Sequence, residues 1–123
     1  MNIDYTLKDD KIIFSKNFIK PLDNIFIELI SQIPIVIFDT FSSFNHSIDF
    51  AAIIDIKFLI EKIELNNNFN SSINLEPLDL LSEIFFPYQY NNHITFPLNS
   101  SLKYLSCGTH YWVNNTTSPH FVF

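Results

Sequence analysis

The chain has 123 residues, of which 47% are hydrophobic; 14 are Phe, and there is a single Gly and a single Cys. Apolar mass on this scale excludes a disordered chain, and the length sets the expectation of one domain over residues 1–123. Thirteen acidic residues against seven Lys give a net charge of −6, which argues against a nucleic-acid binder with its basic patch and favours either a basic partner or plain solubility.

No Arg occurs, so the planar fork that holds phosphate and carboxylate in two contacts is missing. Cys107 alone cannot form an intramolecular disulfide. Met1-Asn2-Ile3-Asp4 lacks the basic opening of a secretory leader. The longest apolar stretch, Ile48 to Ile60, is interrupted by Asp49, Asp55 and Lys57 and is too short and too charged to span a bilayer. A cytoplasmic protein without a membrane partner is the expectation. Asn-x-Ser/Thr triplets at Asn45, Asn70, Asn99, Asn114 and Asn115 then read as by-products of a high Asn and Ser content.

In chain order, Ile3, Tyr5 and Leu7 alternate with polar residues, and Ile12 and Phe14 alternate again after Asp9-Asp10. This is the pattern of a hairpin. Pro21 suits the start of a helix. Leu22, Ile25, Phe26, Leu29, Ile30 and Ile33 then form an apolar stripe until Pro34 stops it. Ile35-Val36-Ile37-Phe38 reads as a buried strand. From Ser47 to Leu65 two periods compete. Helical spacing gathers Ala52, Ile53, Ile56, Leu59, Ile60 and Ile63, whereas strand spacing alternates Ile54, Ile56, Phe58 and Ile60 with charged residues. The length favours helix.

Asn66 to Ser72 is rich in turn formers and reads as a mobile loop. Pro77 to Phe85 reads as a short helix. His93–Phe96 follows as a strand, and Leu102–Ser106 with Thr109–Val113 as a hairpin turning at Cys107-Gly108. Phe121–Phe123 is a candidate edge strand. No internal repeat is apparent. The expected fold is α+β, in the order β-β-α-β-α-α-β-β-β, with a mixed or antiparallel sheet covered mainly on one face by helices.

Chemistry-bearing motifs are sparse. Cys107 and His110 form a C-x-x-H pair, half of a tetrahedral zinc site that His93 and His120 would have to complete, and the tight second pair such sites use is missing. A Cys nucleophile with a His base is the sharper alternative, with the turn exposing the sulfur. The plain reading is a hairpin with a small apolar Cys. Asp39 follows the buried strand and reads as a cap on the loop after it. No phosphate loop or dinucleotide pattern occurs, so no catalytic residue, metal or cofactor is assigned.

The last third is aromatic. Tyr88 and Tyr90, preceded by Pro87 and followed by Asn91, with Trp112 further on, have the composition of a protein contact, and Tyr88, Tyr90, Asn91 and Trp112 are the expected partner-binding residues. The expected function is that of a non-enzymatic acidic protein that binds and neutralises a basic partner protein. Its most concrete form is an immunity protein against a toxin such as a nuclease. A viral or accessory interaction protein, as a monomer or a homodimer, and a Cys-dependent enzyme are the alternatives.

Overall fold

The computed structural model describes residues 4–97 and 102–107, together with the backbone of 110–113. The chain opens with the expected hairpin. Strands β1 (Tyr5–Lys8) and β2 (Lys11–Phe14) pair antiparallel, Tyr5 opposite Phe14. Asp9 takes the left-handed conformation at φ 55°, which Asp tolerates better than most residues.

Helix α1 (Asn24–Ser31) starts where Asp23 caps it: its Oδ1 accepts the Phe26 N–H at 3.0 Å. Ile27 and Ile30 are buried, and Phe26 and Leu29 are partly so. The predicted stripe was rotated. Ile25, placed on it, is 75% exposed, and Ile27 points inward instead.

From there the chain alternates between two sheets. Strands β3 (Ile35–Phe38), β5 (Lys62–Glu64), β7 (Glu83–Phe86) and β9 (Tyr104–Cys107) run parallel beside β2; β1 and β10 (His110–Val113) close the two edges antiparallel, making a seven-stranded sheet. Between them β4 (Ile48–Asp49), β6 (Ile73–Asn74) and β8 (Ile94–Thr95) form a second parallel sheet. Each turn of chain visits both sheets and returns one strand further along. The fold is a short solenoid.

The register stacks like on like. Ile12, Val36, Ile63, Ile84 and Leu105 lie in one row. Phe14, Phe38, Leu65, Phe86 and Cys107 follow two residues later on the same buried face. A third file turns the corner between the sheets. Phe18 and Phe44 stack at 5.8 Å, Phe44 and Phe69 at 6.0 Å, and Phe69 and Tyr90 at 5.8 Å with planes 2° apart. Much of the Phe content is explained by such files, in which each ring covers the next turn's ring.

The expected α+β fold is therefore corrected. The described residues hold one α-helix and a predominantly parallel β coil. Residues 47–65 are not a helix but β4, one 3-10 turn (Phe50–Ala52), an extended stretch and β5. Phe50, Phe58 and Leu65, which lie off the helical stripe, are buried, while Ala52 and Leu59, which lie on it, are exposed. Asp55 at φ 64° breaks any helix there. The many β-branched residues favour extended backbone, and β3 and β7 supply the ladder bonds.

Residues 77–85 make isolated turns, Leu78 N–H to Leu75 O and Leu81 N–H to Leu78 O, and then enter β7. The 66–72 segment, expected to be a loose loop, buries Asn66 and Phe69 between turns. The hairpin at 102–113 forms, with Cys107 opposite His110. Residues 108–109 and 121–123 lie outside the described ones.

A repeat is present after all. Ile35 pairs with Lys62, Lys62 with Glu83 and Glu83 with Tyr104, so those turns advance by 27, 21 and 21 residues. At the 21-residue step Ile60, Leu81 and Leu102 correspond, as do Ile63, Ile84 and Leu105, and Leu65, Phe86 and Cys107. Within each turn (Ile60, Ile63, Leu65; Leu81, Ile84, Phe86; Leu102, Leu105, Cys107) the spacing is apolar-x-x-apolar-x-apolar. Among the described residues no helix is long and apolar enough to cross a membrane.

Candidate functional site

The corner between the sheets is built from amides passed from turn to turn. Asn45 Oδ1 accepts from the Asn70 N–H at 2.8 Å and the Ser71 hydroxyl at 2.7 Å. One turn on, Asn70 Oδ1 accepts the Asn91 N–H at 3.1 Å, and Asn92 Nδ2 donates to Asn70 O at 3.0 Å. Deeper, the buried Asn66 donates through Nδ2 to Ser42 O and Phe44 O at 2.9 and 2.8 Å. Its Oδ1 has no partner. The residue at the same level of the next turn is Pro87, which has no N–H to give.

Tyr90, Tyr88 and Asn91 sit at this corner. Tyr90 belongs to the aromatic file. Its single hydroxyl proton is shared between Ser71 O at 2.9 Å and His93 O at 3.1 Å, and its ring lies 4.4 Å from that of Phe86. Burial, and secondarily the nearby Cys107, pushes its pKa up to about 12. Tyr88 stands 65% exposed, and Asn91 is exposed with its backbone held by Asn70. Asn91 lines an open groove with Asn67, Asn68, Asn70 and Gln89. Trp112 lies on β10 opposite Leu105, and its side chain is outside those described.

Cys107 ends the buried row instead of being exposed by the turn. Its thiol donates to Pro87 O at 3.2 Å. Burial raises its pKa, against a smaller lowering by the hydrogen bond to the Tyr90 backbone, so the thiol form is favoured over the reactive thiolate. Among the described residues no three His, Cys, Asp or Glu side chains gather as a metal site would require.

The outer face of the seven-stranded sheet was not singled out from sequence. It carries Ile13, Ile35 and Ile37 toward one end and Lys62, Phe85 and Tyr104 toward the other, all half-buried. Lys62 Nζ sits 5.3 Å above the Phe85 ring and 3.6 Å from Glu64, and Phe85 meets Tyr104 at 5.4 Å. The signal that would have found this face is strand alternation read at the 21-residue step.

The fold defines a class, the solenoid with one long-sheet strand per turn. Comparison with known proteins adds no relative: no family model, curated protein or solved structure matches this chain.

Proposed function

We propose that this protein is a recognition solenoid that binds another protein bearing a basic surface. An immunity-type inhibitor that covers a basic active site is the concrete form of that reading. The supporting observation is the coil itself. The turns place aliphatic and aromatic side chains on a broad outer sheet face, and solenoids of this build use such extended faces for binding. The apolar-x-x-apolar-x-apolar spacing is that of leucine-rich repeats, which present one strand per repeat in this way. The net charge of −6 supplies the attraction for a basic partner.

The test is quantitative affinity capture, followed by binding kinetics with the captured partner at several salt concentrations. The expected result is one dominant partner whose association rate falls steeply with salt while dissociation barely changes, because exposed charges are screened within about 8 Å at physiological ionic strength. Phe85→Ser and Tyr104→Ser should raise the dissociation rate. An association rate indifferent to salt would remove the basic-partner argument, and unchanged dissociation in both variants would remove the sheet face.

A further inference from the structure

The β3-to-β5 turn is six residues longer than the two turns after it. Four of the six fall between β4 and β5: Ile48 precedes Lys62 by 14 positions, whereas Ile73 precedes Glu83 by 10. The extra chain is not folded back into the core. It leaves Ile54 79% exposed, next to Asp55 at φ 64°. Insertions in repeat proteins collect on one face, often the binding face.

Around Ile54 the surface forms an open groove. Ala51, Ile53, Ile54, Ile56 and Pro77 supply its apolar wall, and Asp55 and Glu76 are its charged residues. Neither carboxylate has a side-chain hydrogen bond or ion pair among the described residues. Lys57, the nearest cation in sequence, lines a different groove with Glu28. The site therefore offers apolar contact under unneutralised negative charge.

We propose that the inserted segment is the docking site for a partner segment that combines aliphatic side chains with Lys or Arg. The aliphatic groups cover Ile54 and its neighbours, and the cations pair with Asp55 and Glu76. This rests on the protein-binding reading and places one contact on the inserted segment, away from the outer sheet face.

The test titrates the full-length, 15N-labelled protein with three synthetic twelve-residue peptides: alternating Leu and Lys, alternating Ser and Lys, and alternating Leu and Glu. The Leu/Lys peptide should shift the amide signals of residues 51–57 and of Glu76. The other two should bind at least about tenfold more weakly, since each lacks one of the two interactions. Ile54→Ser should weaken Leu/Lys binding about tenfold, the change expected of a central apolar anchor. Asp55→Asn and Glu76→Gln should each weaken it about two- to threefold, as rim charges do; Asn tolerates the left-handed backbone at position 55. Equal binding of the Ser/Lys peptide would reduce the site to net charge and overturn the proposal. Leu/Lys binding confined to the outer sheet face around Ile37 and Phe85 would overturn the proposal and leave the protein-binding reading standing. Binding of no peptide anywhere would count against both.

Discussion

At the residue scale, Asn66 and Tyr90 show why side chains that look like surface polar groups are structural. Asn66 holds two carbonyls of the preceding turn from inside the protein. Asn66→Ala would remove the donor from Phe44 O, while Asn68 Nδ2 still reaches Ser42 O, at a cost of about 1–3 kcal/mol in denaturant unfolding. Tyr90 joins a ring stack to a hydroxyl proton shared between two carbonyls. Tyr90→Phe keeps the stack and should cost about 1 kcal/mol, while Tyr90→Ala should cost about 3 kcal/mol. Its raised pKa carries a pH signature. The folded protein keeps the phenol proton to about pH 12, whereas the unfolded chain releases it near 10. The stability contributed by the neutral phenol is therefore complete below pH 10 and lost as pH rises toward 12. Urea midpoints measured from pH 9 upward should fall, and Tyr90→Phe should flatten that fall. An identical slope in the variant would show that another group governs it.

At the scale of elements, helix α1 is the clearest case of sequence and structure agreeing on existence and differing on orientation. A 3.6-residue period locates the apolar face only to within part of a turn, and the sheet beneath decides which side chains seat. Ile30→Ala should cost about 2–5 kcal/mol, and Leu29→Ala less, because Leu29 is only half covered. Ile25→Ala should stay within about 0.5 kcal/mol, and Asp23→Ala should cost about 1 kcal/mol through loss of the cap. Thermal or denaturant melts of the four variants give the ranking. A large loss at Ile25 would contradict the observed face.

At the scale of the molecule, stability in a coil of stacked turns comes from each turn covering its neighbours. The middle strands β5 and β7 have a parallel neighbour on both sides, whereas β1 has a partner only in β2. Native-state hydrogen exchange should therefore be slowest for the backbone amides of residues 63–65 and 84–86 and faster for β1, by about tenfold or more. Uniform protection across the sheet would indicate one all-or-none unit.

By itself the sequence determined what local chemistry decides. Asp9-Asp10 between two alternating runs makes the first hairpin, Pro21 and Pro34 bracket a helix, and the single Cys and scattered Lys limit the available chemistry. Tertiary structure alone decided the coil. Turns of unequal length hid the period, and Ile, Leu, Phe, Tyr and Cys replace one another at equivalent positions, so the rows emerge only once the register is known. The stretch 47–65 supports two periods, and a local pattern cannot choose between them; the open ladders of β3 and β7 do. Tyr90 has the ring and polar tip of a contact residue, but only the stacking of one turn on the next packs that ring against Phe69 and Phe86. A solenoid turn cannot bury its apolar face alone, so what each residue does is set by the turn beside it, about 21 residues away in the regular part of the chain.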